Sequence, residues 1–320
     1  MRPSIKNISF DFFSVVMGIT GLGLAWRSAA NEFGVPTQIG EAIIFFGIFI
    51  FVFLILFQLV RIAYFRPFII EEWRDASHRN FFCAATISGL LISQSLLPYS
   101  ESSAIYLWVI SVSAQVVFLW FMLRHWLLEE VSHNELSPAW LIPMVGNASP
   151  SFAGIELGHA VFCKILFTSA LLCWATFLPL IFYRIIFVIP KISSDAMPGL
   201  AILVSAPAVL AIAEFNLSGG ASTLIEFLAW TALFFAVVVY TLGRRLVSSR
   251  FSRRWWAFTF PSAALASSLI RVYHTDHNSL NLILAYISLG VSTSIVLYVS
   301  LRSLYPKSHF SDVAKSRSRK

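Results

Sequence analysis

The sequence predicts an all-α integral membrane protein with ten transmembrane helices, arranged as five helical hairpins. Hydrophobic residues fill 58% of its 320 positions and charged residues only 12%, so a soluble domain of this size would lack the polar groups to cover its apolar surface. The apolar residues form ten stretches with few charges, each long enough to cross a bilayer. Successive odd-numbered stretches begin about 58 to 70 residues apart, which indicates a repeated two-helix unit.

The ten stretches differ in composition according to their order. Even-numbered ones are almost purely apolar, as between Ile43 and Leu59, so they can face lipid on every side. Odd-numbered ones carry Gly, Pro, Ser, Thr and Asn, and such backbone disruption is tolerated in a membrane only where protein or a water-filled cavity satisfies it. We therefore expect the odd segments to lie inside. In chain order, the segments lie near 10–30, 39–64, 80–97, 102–126, 139–157, 159–189, 197–216, 222–247, 255–273 and 279–304.

The odd segments predict an inner ring of five helices around a central pore, since five helices leave a channel unless large side chains fill it. The alternative is a solid bundle in which small residues serve only helix packing. In chain order, the disrupting residues of the five segments are Gly18, Thr20 and Gly21, then Ser88 and Gly89, then Pro143, Gly146 and Asn147, then Ser205 and Pro207, then Pro261 and Ser262. The predicted pore lining consists of Gly18, Thr20, Ser88, Gly89, Asn147, Ser205, Ala264 and Ser267.

Loop charges predict the orientation of the chain. Of its 23 Lys and Arg residues, 20 lie on the face that would hold both termini and the connections between hairpins, which leaves Arg27, Lys164 and Arg271 on the other face. Because basic residues concentrate in cytoplasmic loops, we expect both termini in the cytoplasm and the chain in the plasma (inner) membrane. The predicted domains are a cytoplasmic N-terminus at 1–9, a ten-helix transmembrane channel domain at 10–304 and a basic cytoplasmic tail at 305–320.

Residue types that carry catalysis are scarce within the predicted spans. The seven histidines fall at segment ends or outside, without the H-E-x-x-H spacing of a zinc protease. No nucleophile elbow, phosphate-binding loop or dinucleotide fingerprint occurs. We therefore expect no enzyme, no metal and no cofactor, with the loop from His274 to His277 as a weak metal alternative. The net charge of +7 comes from helix ends and the tail, so it predicts a lipid bilayer and no nucleic acid as partner.

The ninth segment carries the most specific pattern. At about 100° per residue, Phe260, Ala264, Ser267 and Arg271 share one helix face, with the arginine about 16 Å beyond the phenylalanine. This face is small and hydroxylated, and a cation ends it. It predicts a pore lining that is narrow only at the phenylalanine ring, a hydrophobic constriction that gates by blocking or dewetting. The alternative is packing, because the chain has 30 Phe residues and most such side chains fill a core.

Three stretches of the sequence resemble a known family. They are FFSVVMGITGLGLAWR at Phe12–Arg27, PAWLIPMVGN at Pro138–Asn147 and WWAFTFP at Trp255–Pro261. They resemble the TehA-like tellurite-resistance and C4-dicarboxylate transporter family, which is related to the plant slow-type anion channels. The resemblance implies a homotrimer in which each subunit has its own pore for small anions. It also implies that a phenylalanine of the ninth helix plugs the pore, which matches Phe260 here, with Phe258 as competitor.

These observations predict a passive anion channel or facilitator with a phenylalanine-gated pore. Arg27 and Arg271 lie near one mouth, where they would raise the local concentration of small inorganic or organic anions. No ionisable residue lies clearly at the midplane of a span, so a buried proton relay is not evident. The alternative is a secondary exporter of C4-dicarboxylate, sulfite or tellurium oxyanions. An intramembrane enzyme or structural subunit is a third possibility that no sequence feature supports.

Overall fold

The computed structural model describes residues 8–133, 135–189, 194–242 and 251–304. Among these residues the chain forms helices and turns and no strand, which confirms the predicted all-α class. The predicted basic tail at 305–320 and residues 1–7 of the predicted N-terminal domain lie outside the described residues.

The described residues up to Leu128 form six α-helices. They are α1 Phe13–Phe33, α2 Thr37–Tyr64, α3 Arg66–Arg74, α4 Ala76–Arg79, α5 Phe82–Leu96 and α6 Glu101–Leu128. The described residues after Leu128 form seven more, namely α7 Leu141–Val145, α8 Ser151–Gly154, α9 Ala160–Phe187, α10 Ile202–Ser218, α11 Thr223–Thr241, α12 Thr259–Thr275 and α13 Ser279–Leu304. Short 3₁₀ helices precede several of them, at Phe10–Phe12, Pro138–Trp140, Gly146–Ala148, Ser194–Ala201 and Arg253–Phe258.

Seven helical segments of the described chain, rather than the predicted ten, are long and apolar enough to cross a membrane. They are Phe10–Phe33, Thr37–Tyr64, Glu101–Leu128, Ala160–Phe187, Met197–Ser218, Thr223–Thr241 and Ser279–Leu304. The other three predicted spans are shorter or interrupted. Helix α5 has 15 residues and α12 has 17. The segment predicted near 139–157, called the interrupted segment below, is divided into α7, α8 and 3₁₀ turns because it carries Pro143, Gly146 and Pro150.

Burial separates the two kinds of segment. The apolar windows of Phe10–Phe33 and Met197–Ser218 are 67% and 78% buried, whereas those of α2, α6, α9 and α13 are only 28% buried. Consecutive helices pack in pairs, α1 with α2, α5 with α6, α10 with α11 and α12 with α13. Helix α12 also contacts α1 and α10, α1 contacts α5, and the interrupted segment contacts both α5 and α10. Helices α1 and α10 are thus mostly buried within the protein, whereas α2, α6, α9 and α13 expose most of their apolar surface.

Side chains of neighbouring helices satisfy the carbonyl groups of the interrupted segment. Gln115 of α6 donates from Nε2 to the carbonyl oxygen of Pro143 at 3.0 Å, and its Oε1 accepts from the hydroxyl of Thr86. Trp108 of α6 donates from Nε1 to the carbonyl oxygen of Pro150 at 2.8 Å. These bonds satisfy carbonyl groups of the interrupted segment within the protein and hold the segment against α6, so its irregular backbone is tolerated here.

A buried ion pair fixes the chain that precedes α1. Arg61 at the end of α2 contacts Glu72 of α3 at 2.7 Å, with side-chain exposures of 2% and 7%. Glu72 accepts from the backbone N–H of Phe10 at 2.6 Å, while Arg61 and Gln58 both donate to the carbonyl oxygen of Ile8 at 2.7 and 2.9 Å. Because both charges are hydrogen-bonded as well as paired, their burial is compensated. The pair therefore determines where α1 begins relative to α2 and α3.

Candidate functional site

Two cavities lie between the central segments. The larger, the apolar cavity, has a volume of about 60 Å³ and receives residues from α1, α5, the interrupted segment, α10 and α12 with its preceding turn. Most of its lining is hydrocarbon, including Met17, Ile87, Val145, Val209 and Trp256, with hydroxyls at Ser14, Ser149 and Ser205.

The smaller, the polar cavity, has a volume of about 20 Å³ and receives residues from the same five segments. Its hydrogen-bonding side chains are Ser28 of α1, Gln94 of α5 and Ser267 and Arg271 of α12. Along α1 and α5 the apolar-cavity residues precede the polar-cavity residues at spacings of three or four, so one face of each helix borders both cavities.

Phe260 is the one described residue that lines both cavities. It is half-buried in the first turn of α12, where the following Pro261 is tolerated because first-turn N–H groups have no helical acceptor. Gly21 of α1 lies against its ring: a Cβ atom added there would be 3.2 Å from Phe260 Cδ2. Phe258 instead is 6% exposed, has its ring centroid 5.9 Å from that of Trp255, and lines neither cavity.

Three of the eight residues that the sequence predicts as pore lining border these cavities. Ser205 lines the apolar cavity, and its hydroxyl donates to the carbonyl oxygen of Ile202 at 3.0 Å. Ala264 and Ser267 line the polar cavity together with Phe260. The face predicted for the ninth segment is therefore brought to one cavity by the helical repeat of α12.

The other predicted lining residues make contacts between helices. A side chain at Gly18 would collide with Thr259, and one at Gly89 would collide with the hydroxyl of Ser111. Thr20 contacts α2 closely, because a side chain added at Gly47 of α2 would collide with the Thr20 hydroxyl. These positions are small because two helices approach closely there.

Ser88 and Asn147 are buried away from both cavities. The Ser88 hydroxyl donates to the carbonyl oxygen of Ala84 at 2.7 Å and lies 3.2 Å from that of Phe13, so it joins α5 to α1. Asn147 is 1% exposed, and neither its Nδ2 nor its Oδ1 has a hydrogen-bond partner among the described residues.

The two predicted mouth charges differ in environment. Arg27 lines neither cavity and pairs side-on with Glu41, with Nε to Oε1 at 2.6 Å and Nη2 to Oε2 at 2.7 Å. Arg271 lines the polar cavity, donates from Nη1 to the carbonyl oxygen of Ser267 at 3.1 Å, and lies 5.5 Å above the ring of Phe215. Within the described part of the chain, no carboxylate lies within 4.0 Å of Arg271. Its charge therefore acts on the cavity, whereas that of Arg27 is neutralised.

Among the polar-cavity residues that sequence reasoning missed, three are small or polar. Gly21, Ser28 and Gln94 line the polar cavity but are absent from the predicted lining. The helical repeat carried a signal for two of them, because Gly21 and Ser28 lie seven residues apart on α1 and so share a face. Gln94 is the sole amide side chain of α5, and an amide in an apolar span is a signal of the same kind.

The loop after α12 does not bring metal ligands together. The described residues contain no group of three or more His, Cys, Asp or Glu side chains that could hold a metal ion. His274 instead contacts Glu32 of α1, with 2.7 Å between Nδ1 and Oε1. Asp276 accepts from the side-chain amide of Asn281 at 3.3 Å, and Oδ1 of Asn278 caps α13 by accepting from the backbone N–H of Asn281 at 2.8 Å.

Comparison with known proteins agrees with the resemblance predicted from the three motifs. Residues 7–304 match the family model described as SLAC1, voltage-dependent anion channel. The S-type anion channel SLAH2 of Arabidopsis thaliana is 25% identical over 322 aligned positions, which cover 93% of this chain and 59% of that protein. S-type anion channel SLAH3 of the same plant is 21% identical over 92% of this chain and 47% of its own length.

A bacterial relative matches over most of its length. The tellurite resistance protein TehA homolog of Haemophilus influenzae is 20% identical over 92% of this chain and 90% of that protein. The present chain thus spans about half to three fifths of the plant relatives and nearly all of the bacterial one. Because the family match covers nearly every described residue, this chain is an integral membrane protein that belongs to the SLAC1 family of voltage-dependent anion channels.

Proposed function

We propose that this chain is a passive channel or facilitator for small anions, closed by the side chain of Phe260. One observation carries the proposal: Phe260 is the described residue that the two cavities share. Both cavities draw on the same five central segments, as expected for one pathway divided by a plug. An apolar constriction without water blocks ions, because an ion that enters it loses its hydration.

The architecture behind this proposal is a ring of five inner segments within outer helices. Its support is the circuit of contacts from α1 to α5, the interrupted segment, α10, α12 and back to α1. We infer that α5, α12 and the interrupted segment also cross the membrane, which gives ten crossings in five hairpins. Both termini in the cytoplasm, the plasma (inner) membrane and a homotrimer complete the proposal on the loop charges and the family resemblance.

Anions are the proposed cargo for two reasons. The curated relatives from Arabidopsis thaliana are named S-type anion channels. Arg271 lies beside the polar cavity, and no carboxylate of the described residues lies within 4.0 Å of it. A fixed positive charge at a pore mouth raises the local concentration of anions and repels cations.

A secondary exporter of C4-dicarboxylate, sulfite or tellurium oxyanions is the second candidate. It is favoured by the match to the TehA homolog of Haemophilus influenzae, which is named for tellurite resistance and is covered over 90% of its length.

The test measures efflux of chloride, sulfite and malate from liposomes that contain purified wild-type protein or the Phe260→Ala variant, with and without a pH gradient. Flux that follows the anion gradient alone supports the channel. A strict requirement for a pH gradient supports the exporter instead. Absence of flux above that of empty liposomes, for every anion and both proteins, would refute both candidates.

A further inference from the structure

A surface away from the two cavities combines exposed aromatic rings with exposed cations. Trp120 and Phe121 of α6 are 55% and 45% exposed. The exposed guanidinium of Arg124, one turn further along α6, lies 5.8 Å from the centre of the Trp120 ring. An apolar surface with a cation at one end fits a partner that has an apolar part and an anionic part. In a bilayer, an anionic phospholipid has both.

The length of α6 places these residues at the edge of the bilayer. Its 28 residues extend over about 42 Å, whereas the hydrocarbon core is about 30 Å thick. A helix centred in the bilayer therefore extends about 6 Å, or about four residues, beyond the core at each end. Arg124 lies four residues before the helix ends at Leu128, and Trp120 one turn deeper. The ring thus lies at the level of the acyl chains, and the guanidinium at that of the lipid phosphates.

Helix α3 brings a second cation to the same edge. It begins two residues after the end of α2, and the ring centroid of its Trp73 lies 6.1 Å from that of Phe118 and 6.3 Å from that of Phe121, both in α6. Helix α3 therefore packs against the last turns of α6. The next residue, Arg74, is exposed, so its side chain is available at this edge.

A third cation lies between α3 and α6. Arg79 of α4 donates from Nε to the carbonyl oxygen of Trp73 at 2.8 Å and from Nη2 to that of Arg74 at 3.0 Å. Its charge also acts on His125 in the last turn of α6. Arg79 is therefore fixed at the end of α3, on the side that faces α6.

Carboxylates do not neutralise these cations. Within the part of the chain that the structure describes, no carboxylate oxygen lies within 4.0 Å of the guanidinium of Arg74, Arg79 or Arg124. Glu71 of α3 is exposed and pairs with none of them. The three charges are therefore available to an anionic partner.

We propose that Arg74, Arg79 and Arg124 bind the phosphate of an anionic phospholipid, with an acyl chain of that lipid along Trp120 and Phe121. Loop charges predict the cytoplasm on this side of the membrane, so the lipid belongs to the cytoplasmic leaflet. Binding does not require conduction, and the inference therefore goes beyond the proposed function.

The test compares two lipids that have the same palmitoyl and oleoyl chains, phosphatidylglycerol and phosphatidylcholine. Each is added to delipidated protein in a nonionic detergent, and the rise in unfolding temperature with lipid concentration gives its affinity. Wild type should bind phosphatidylglycerol saturably and at least tenfold more tightly than phosphatidylcholine.

Exposed arginines are the residues to replace, because their loss leaves the fold intact. An arginine near a membrane surface contributes about fivefold to the affinity for an anionic lipid. Arg124→Gln should therefore weaken phosphatidylglycerol binding about fivefold, and the double variant Arg74→Gln, Arg124→Gln about 25-fold. Affinity for phosphatidylcholine should stay as in wild type.

Arg253→Gln is the matched control. Arg253 is also exposed and also lies over an aromatic ring, 5.1 Å from the centre of Phe12, but its 3₁₀ helix packs against α1 and α12. Its variant should bind phosphatidylglycerol as wild type does. An equal loss of affinity in Arg253→Gln and Arg124→Gln would overturn the proposal, because net charge alone would then explain it. Equal affinity of wild type for the two lipids would overturn it as well.

Glycerol phosphate distinguishes a lipid from a free phosphate, because it carries the anionic group without acyl chains. Wild type should bind it at least a hundredfold more weakly than phosphatidylglycerol. Similar affinities for the two would show that the arginines take a soluble phosphate, and the lipid assignment would then be wrong.

Discussion

Replacement of Phe260 by alanine removes the side chain that separates the two cavities, so it should open the pathway. An ion that crosses an apolar, water-free constriction loses several kcal/mol of hydration free energy. The variant joins cavities of about 60 and about 20 Å³ through the space of the lost ring, and water can then accompany the ion. Recovery of about 1.4 to 3 kcal/mol of that barrier corresponds to a rise in anion flux of about tenfold to a hundredfold.

The cost in stability should be moderate. Phe→Ala in a packed core costs about 3–5 kcal/mol. Phe260 is half-buried and bounded by cavities, so its ring makes fewer contacts than a core phenylalanine. We expect a loss below about 3 kcal/mol, and the unfolding temperature in detergent measures it.

Phe258→Ala is the control for the gate assignment. That ring packs in the core near Trp255 and lines neither cavity, so its loss should lower the unfolding temperature without raising flux. Chloride efflux from liposomes at matched protein content compares wild type, Phe260→Leu, Phe260→Ala and Phe258→Ala. Chloride flux should rise from wild type to Phe260→Leu and further to Phe260→Ala, because the side chain at position 260 becomes smaller in that order. Unchanged flux in Phe260→Ala, or an equal rise in Phe258→Ala, would contradict the reasoning.

Three further predictions concern stability. Arg61→Met leaves Glu72 buried without its partner and should cost about 3–5 kcal/mol, and adding Glu72→Leu should recover part of the lost unfolding temperature. The contact with Asp11 raises the pKa of His78 above its usual 6.5; protonated His78 therefore stabilises the fold at low pH, and this contribution disappears as pH rises through the raised pKa. Unfolding scans should accordingly show a smaller loss of stability as pH rises above about 6.5 in His78→Gln than in wild type. Gln115→Leu leaves a backbone carbonyl of the interrupted segment unsatisfied and should cost about 1–3 kcal/mol, and an unchanged unfolding temperature would contradict that role.

Hydropathy predicts the outer helices well because lipid imposes one requirement on all of them. The segments predicted near 39–64 and 279–304 correspond to Thr37–Tyr64 and Ser279–Leu304. The interrupted segment was harder to predict. Its prolines indicate an irregular backbone. The side chains that bond to its carbonyl groups belong to α6, however, so no pattern within the segment itself identifies them.

The site was predictable where one helix supplies it. Phe260 to Arg271 follow the repeat of α12, so spacing alone places them on one face. Gly18 and Gly89 were not separable from pore residues, because a close helix contact and a pore wall both require small side chains. Composition identifies such positions, and only the three-dimensional arrangement assigns them to one role or the other.

The two mouth arginines illustrate the same limit for charge. Arg27 and Arg271 look equivalent in the sequence, since each ends an odd segment on the same predicted side of the membrane. Glu41 lies 14 residues after Arg27, on the neighbouring helix. Its two carboxylate oxygens accept hydrogen bonds from Nε and Nη2 of Arg27. We therefore expect Arg271, and not Arg27, to attract anions to this mouth, so replacing Arg27 should affect conduction much less than replacing Arg271.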